Sequence, residues 1–152
     1  FDTVSVSLNK GFGAPIAAVL AGSAATIDAA LPLRQRLGGG IRPTGPAAAA
    51  TLTGLHDLGH FGDVHALATR LAAGLRDIAG LKVEEMAVRT NMVVARVDGP
   101  DDAAGLCARF AARGLLALPF DAQRIRFVVY RGVTAEEVER AIAIVRDARI
   151  PD

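Results

Sequence analysis

The chain has 152 residues, of which 51% are hydrophobic and 22% charged, so it carries ample apolar material for a core, and its composition excludes disorder. Its 17 basic and 16 acidic residues leave a formal net charge of +1, which argues against bulk binding to nucleic acid. The single cysteine, Cys107, excludes an internal disulfide, and its apolar neighbours favour a small buried side chain in a protein of the reducing cytoplasm.

The first 45 residues are predicted to form two strands and a helix joined by glycine-rich loops. Apolar and small polar residues alternate up to Leu8, which predicts a strand, and a second strand is expected over 16–21. Ser23 is the expected N-cap of a helix that runs towards Leu37, and the three glycines at 38–40 end it. We expect neither a signal peptide nor a membrane span, because the apolar stretches are short and interrupted by glycine.

Residues 46–80 are predicted to be mainly helical. Apolar residues recur at intervals of three and four from Val64 to Leu75, which is typical of a helix that packs one face against a core. A break is expected near Gly59 to Gly62, and Gly80 is the expected C-cap.

Strands and helices alternate from residue 81 to the end of the sequence. Strands are predicted at 92–97 and 124–130, and a helix follows each of them. The first of these helices ends at Gly114. Polar residues cap the starts of both helices: Asp101 or Asp102 for the first, and Thr134 with Glu137 for the second. This alternation predicts a small α+β or α/β domain.

Lys10 directly follows a predicted strand and is, with Lys82, one of only two lysines among the basic residues. It opens a loop over 10–15 whose glycines let the backbone approach a neighbouring group. A buried strand end would keep the amine partly dry and favour its neutral, nucleophilic form, as in a Schiff-base lysine. The same spacing also fits a solvent-facing lysine beside a flexible turn.

Two further segments could bind anions. The triple glycine at 38–40 and the following Arg42 could bring amides and a guanidinium to a phosphate, although such glycines also serve as a hinge between helices. Arg124 and Arg126 share one face of the last predicted strand, where a planar guanidinium suits a carboxylate. Such a pair also fits a solubilising surface strand in an arginine-rich chain.

The histidines do not predict a metal site. His56 and His60 are four residues apart, but no glutamate follows His56 and no third ligand has a suitable spacing. The sequence also has no nucleophile elbow, no P-loop and no dinucleotide-binding fingerprint.

Four segments in order carry a family resemblance. Residues 5–15 contain the strand, the lysine and a Gly-x-Gly-Ala-Pro turn, and residues 37–42 contain Gly-Gly-Gly-x-Arg. Thr-Asn-Met-Val at 90–93 and Arg-Phe-Val-Val-Tyr at 126–130 follow. Together they resemble the threonine aldolase and β-eliminating lyase family of pyridoxal-phosphate enzymes of fold type I.

The resemblance implies an α/β fold that is only part of such an enzyme. Residues 1–45 would form the end of the large cofactor-binding domain, 46–80 a connecting helical region, and 81–152 the C-terminal small α/β domain. In the family, a phosphate-binding loop, a ring-stacking aromatic residue and an aspartate for the pyridine nitrogen precede the lysine, and none has a counterpart here. We therefore expect an N-terminal half, or another chain, to complete the site.

Three residues take functional roles from the resemblance. Lys10 would form the internal aldimine with pyridoxal 5'-phosphate, and Arg42 would bind the cofactor phosphate or the substrate, often across a subunit interface in this family. Arg126 would hold the substrate carboxylate. The implied activity is retro-aldol cleavage of a β-hydroxy amino acid to glycine and an aldehyde by a cytoplasmic homo-oligomer, a dimer or tetramer, with no nucleic-acid or membrane partner.

Two other functions fit the same residues. The chain could be a catalytically incomplete paralogue that acts as a structural or regulatory partner. It could also belong to an enzyme of another pyridoxal-phosphate reaction type, such as a transaldolase or a β-eliminating enzyme. Asn9 stands where the family usually has serine, and Tyr130 stands where it often has histidine. Differences at such positions separate these reaction types.

Overall fold

The computed structural model describes residues 1–85 and 90–149, with the exception of the side chain of residue 149. The chain forms two compact units, Phe1–Leu58 and Gly59–Asp152. The sequence predicted three zones with limits at 45 and 80, which were assigned to domains of a larger enzyme. That assignment stays a prediction. No helix within the described ranges is long and apolar enough to cross a membrane.

The first unit consists of a β-hairpin and two helices. Strand β1 (Thr3–Ser7) pairs antiparallel with β2 (Ala18–Gly22), with Val6 opposite Val19. Helix α1 (Ala24–Arg36) follows directly, because the Ser23 hydroxyl accepts a hydrogen bond from the Thr26 N–H as the predicted N-cap. Helix α2 (Gly45–Leu55) begins after the glycine-rich loop.

Most of the apolar side chains of this unit face solvent. No residue of β1, β2 or α1 is buried. The exposed large apolar residues come from both strands and both helices: Val4, Val19, Leu20, Leu31, Leu33 and Leu52. The unit by itself therefore has few buried residues around which its elements can pack.

The second unit packs helices on an antiparallel sheet. In chain order its elements are α3 (Gly59–Arg76), β3 (Leu81–Val83), β4 (Met92–Val97), α4 (Ala103–Ala112), β5 (Leu118–Pro119), β6 (Arg124–Val128) and α5 (Ala135–Arg149). The strands lie in the order β3-β4-β6-β5, and each neighbouring pair is antiparallel. The antiparallel pairing makes this unit α+β, which is one of the two alternatives predicted for residues 81–152.

The core of the second unit lies on one face of this sheet. Val93 and Ala95 of β4 and Ile125 of β6 are fully buried, as are Leu75 of α3 and Phe110 of α4. The alternate residues of β4 and β6 are half-buried or exposed, because successive side chains of a strand point to opposite faces. One face of the sheet is therefore covered, and the other carries the arginines of β6.

The predicted helix caps of the second unit are confirmed. The Asp102 carboxylate accepts from the Gly105 N–H at 2.6 Å. The Thr134 N–H donates to the Glu137 carboxylate at 2.8 Å, and the Glu137 N–H donates to the Thr134 hydroxyl at 3.2 Å, which is a complete capping box.

Helix limits differ from the prediction in the middle of the chain. The break lies over 56–58 rather than at Gly59 to Gly62, and Gly59 begins α3. Helix α3 ends at Arg76, and Gly80, at φ 76°, forms the turn into β3 instead of capping the helix directly. A glycine can occupy that positive φ without the steric cost that other residues incur.

Candidate active site

Lys10 opens a tight turn just after β1. Its carbonyl accepts a hydrogen bond from the Gly13 N–H at 3.0 Å, and Gly13 has the positive φ of 75° that the turn requires. At the base of the loop, Leu8 donates to the Ala17 carbonyl at 2.9 Å, and Ala14 donates to the Leu8 carbonyl at 3.0 Å. The backbone around Lys10 is therefore fixed on both sides of the turn.

The lysine side chain is exposed, contrary to the expectation of a partly dry amine. That expectation rested on a buried strand end, but β1 belongs to a two-stranded sheet with no buried residue. Asn9, just before the lysine, accepts a hydrogen bond from the Ser7 hydroxyl at 2.5 Å, which ties its side chain back to β1.

Arg42 lies in the loop between α1 and α2 and is also exposed. The peptide bond between Arg42 and Pro43 is cis. Among the described residues, Arg42 forms no ion pair. Its guanidinium is therefore available to an anion.

The triple glycine does not offer a full set of free amides. The Gly38 N–H donates to the Gln35 carbonyl at 3.2 Å, and the Gly39 N–H donates to the Arg34 carbonyl at 2.8 Å. The last carbonyls of a helix have no partner within the helix itself, and these two bonds supply partners at the C-terminus of α1. In this structure the loop's main contribution to an anion site is the Arg42 guanidinium.

Arg126 lies in the middle of β6 on the outward face of the sheet. Val94 of β4 and Leu118 of β5 are its direct cross-strand partners, so its nearest neighbours on that face are apolar. The residue is half-buried, and its Nε is fully buried with no hydrogen-bond partner among the described residues. Buried polar groups in native proteins normally have a partner, so an unpaired Nε is a feature that needs an explanation.

Arg124, two residues earlier on the same face, is fully engaged. Its Nε donates to Asp121 at 2.6 Å, another guanidinium nitrogen lies 3.4 Å from Glu84, and the group stacks over the Phe120 ring at 4.7 Å. The hydrogen bond from Arg124 holds the pKa of the Asp121 carboxyl below its usual value and raises the pKa of the guanidinium. Of the two arginines on this face, Arg124 pairs with carboxylates, whereas Arg126 forms no ion pair with the residues that the structure describes.

The three predicted site residues fall in two units. Lys10 and Arg42 belong to the first unit, and Arg126 belongs to the second. Their roles stay predictions. Within the described residues, no group of three or more histidine, cysteine, aspartate or glutamate side chains could hold a metal ion.

Sequence reasoning missed two residues that shape these segments. The Asn91 side-chain amide donates to the Val129 carbonyl at 3.0 Å, and the Asn91 backbone carbonyl accepts from the Val129 N–H at 2.8 Å, which extends the pairing of β4 and β6. Gly54 of α2 is buried against the backbone of Phe12. A glycine inside an alanine-rich helix was the signal that could have indicated this close approach.

Comparison with known proteins agrees with the predicted family. The model of the β-eliminating lyase family matches residues 1–98. A low-specificity L-threonine aldolase from Arabidopsis thaliana is 33% identical over 98% of this chain and 42% of its own length, and one from Escherichia coli K12 is 33% identical over 93% and 41%. The chain thus spans about two fifths of the curated relatives it matches.

Solved structures show the same fold at lower sequence identity. A Listeria monocytogenes EGD-E protein solved as a candidate L-allo-threonine aldolase superposes with a TM-score of 0.71 at 20% identity, over 97% of this chain and 45% of that protein. An 8-amino-7-oxononanoate synthase from Francisella tularensis gives 0.69 at 18% identity, over 95% and 44%. The predicted fold class, part of a fold type I enzyme, is confirmed. Because the family model covers most of the sequence, the chain belongs to the β-eliminating lyase family.

Proposed function

We propose that this chain is the C-terminal portion of a pyridoxal-phosphate-dependent lyase that cleaves a β-hydroxy amino acid to glycine and an aldehyde. The N-terminal half of the polypeptide, or another chain, completes the site. The family match and the two relatives named as low-specificity L-threonine aldolases support this reaction.

The available side chains fit the cofactor. A primary amine is the group that an aldehyde cofactor needs for covalent attachment, and Lys10 presents one on a turn fixed by hydrogen bonds. Arg42 presents an exposed guanidinium that forms no ion pair with the described residues, which suits the cofactor phosphate or a substrate carboxylate. When bound, pyridoxal 5'-phosphate supplies an electron sink for the bond that breaks at the substrate Cα.

The observation that carries the proposal is the buried, unpaired Nε of Arg126 beside the fully engaged Arg124. An arginine donates in a planar fork that matches a carboxylate with two parallel hydrogen bonds. The substrate carboxylate would give Arg126 the partner that it lacks among the described residues.

The position of Arg126 suits a group that orients substrate. Ile125 and Phe127, on either side of it, are buried in the core, so the backbone that carries the guanidinium is fixed. A carboxylate held in two hydrogen bonds cannot rotate freely, and the orientation of the Cα bonds is set with it. Arg126 therefore affects which bond reacts as well as how tightly substrate binds.

Covalent labelling tests the role of Lys10. The protein is mixed with pyridoxal 5'-phosphate, reduced with borohydride and digested, and the modified peptide is located by mass spectrometry. We expect the label on the Lys10 peptide, absent in Lys10→Ala and retained in Lys82→Ala, where an exposed lysine of β3 is removed instead. A label that persists in Lys10→Ala would contradict the assignment.

Product analysis separates the reaction types. Threonine and phenylserine are given to the complete enzyme, and glycine and aldehyde are measured. Equal release of both supports aldol cleavage, and ammonia with a keto acid indicates β-elimination. A new β-hydroxy amino acid that forms from an added aldehyde without incorporating added labelled glycine indicates transaldol transfer. We expect Arg126→Ala to remove most of the activity, whereas Arg96→Ala, at an exposed arginine of β4, leaves it nearly unchanged.

A structural or regulatory partner is the second candidate function. The exposed apolar residues of the first unit favour it, since they suit contact with another polypeptide. The N-terminal half would cover the same residues in an enzyme, and so would a second subunit of a cytoplasmic homo-oligomer, which we also propose. Failure of the complete assembly to bind cofactor or release aldehyde would favour the structural partner.

A further inference from the structure

Helix α2 places a glycine directly against the loop that carries Lys10. Gly54 and Thr51 are the buried residues of this helix. A Cβ at Gly54 would overlap the Phe12 carbonyl oxygen and would lie 2.9 Å from the Phe12 carbonyl carbon and 3.2 Å from its Cα. All three are backbone atoms, so no side-chain rotation can relieve the contact.

The loop has little freedom to move away from α2. The hydrogen bonds from Leu8 to Ala17, from Ala14 to Leu8 and from Gly13 to Lys10 anchor it on both sides of Phe12. Leu8 and Ala14 are also buried, at 9% and 4% exposure, in a unit with few buried residues. A side chain at position 54 would therefore have to displace the helix or break the turn.

Glycine is a poor helix former, and its presence near the end of α2 needs a packing reason. The preceding residues at 47–50 are all alanine, the best helix former. A glycine at position 54 stabilises the helix less than an alanine would, but it permits the close approach to Phe12.

We infer that Gly54 is a positioning residue: it sets the distance between α2 and the Lys10 turn, and through that turn the place of the Lys10 amine. The part of the inference that concerns cofactor binding rests on the proposed function. Its geometric part, the dependence of the Lys10 turn on Gly54, stands on the contact with Phe12.

Amide hydrogen exchange tests the geometric part without cofactor. Gly54→Ala is compared with Gly62→Ala, a helical position in α3 where an added Cβ meets nothing within 4 Å. We expect the Gly13 and Ala14 amides, which close the Lys10 turn, to exchange about ten- to a hundredfold faster in Gly54→Ala and at the wild-type rate in Gly62→Ala, as overpacking of this kind predicts. Equal exchange in all three proteins would overturn the inference.

Cofactor binding tests the consequence for Lys10. In the complete protein, the absorbance of the lysine-bound cofactor is followed against pH for the same variants. We expect the titration midpoint to move and the bound fraction to fall in Gly54→Ala only. A general loss of stability would lower the bound fraction but leave the midpoint of the remaining complex in place.

The two measurements distinguish failure of the inference from failure of the proposed function. If wild type binds no cofactor at Lys10, the proposed function fails while the exchange result still decides the role of Gly54. If exchange rises but the titration midpoint does not move, Gly54 is structural only and the inference is overturned. If Gly54→Ala does not fold, Thr51→Ala/Gly54→Ala replaces it, because Thr51 is the other buried residue of α2 and its truncation removes side-chain volume from the buried face. We expect faster exchange of the Gly13 and Ala14 amides in that variant too, and wild-type exchange would overturn the inference.

Discussion

Replacing Arg126 by methionine is expected to change stability and activity in opposite directions. The side chain is half-buried between Val94 and Leu118, and its buried Nε has no partner among the described residues. Methionine has a similar length and an apolar end, so it keeps the packing of the arginine stem while it removes the unpaired donor.

The size of the stability effect follows from the unpaired Nε. A buried donor without a hydrogen bond costs about 1–3 kcal/mol. Removing this donor stabilises the fold, but the favourable hydration of the exposed end of the guanidinium is lost at the same time. We therefore expect the free energy of unfolding to rise by about 1 kcal/mol, which corresponds to about 4–8 °C in Tm for a unit of this size. The same substitution removes charge-assisted hydrogen bonds worth about 1.5–3 kcal/mol each, so kcat/KM should fall at least about tenfold.

Thermal and denaturant unfolding measure the first effect, and initial rates with threonine measure the second. Arg96→Met is the matched control, because Arg96 lies on the same face of the sheet, is exposed, and forms a surface ion pair with Asp98. We expect the control to change the free energy of unfolding by less than about 0.5 kcal/mol and to retain activity. Destabilisation by Arg126→Met, or an unchanged kcat/KM, would refute the reasoning.

Three further predictions concern the second unit. Phe110→Ala, at a fully buried ring, should lower the free energy of unfolding by about 3–5 kcal/mol in denaturant titration. Thr134→Ala removes one half of the capping box and should cost about 1 kcal/mol in the same assay. The pKa of Asp121 is lowered in the folded protein by Arg124, so its contribution to stability is present above about pH 4 and is lost as the pH falls through the folded value. In Asp121→Asn, Tm should therefore fall less steeply than in the wild type as the pH is lowered below about 4. An equal fall of Tm in both proteins would contradict this assignment.

Features fixed by local interactions could be predicted from the sequence. Ser23, Asp102 and Thr134 cap helices because their side chains reach N–H groups only three residues away. The strand at Met92–Val97 was also predicted correctly, since its alternating pattern reflects one buried and one open face.

Features that depend on distant partners could not be predicted in this way. Strand β5 has only two residues, Leu118 and Pro119, and exists because they pair with Arg126 and Ile125. The exposure of Lys10 depends on whether another layer covers the hairpin, which no pattern within β1 encodes.

The two arginines of β6 differ in their surroundings in a way that the sequence motif does not encode. Alternation correctly puts Arg124 and Arg126 on one face, and both have the same charge and the same strand behind them. What separates them is the turn before β6, which brings Asp121 and Phe120 to Arg124, together with Glu84 after β3. The Phe120 N–H, directly after β5, also donates to the Arg124 carbonyl at 2.7 Å, which joins the end of the short β5 strand to β6 beside Arg126. Arg126, whose Nε has no hydrogen-bond partner among the described residues, thus lies between elements that are each held by other contacts, which suits the carboxylate-orienting role that we propose for it.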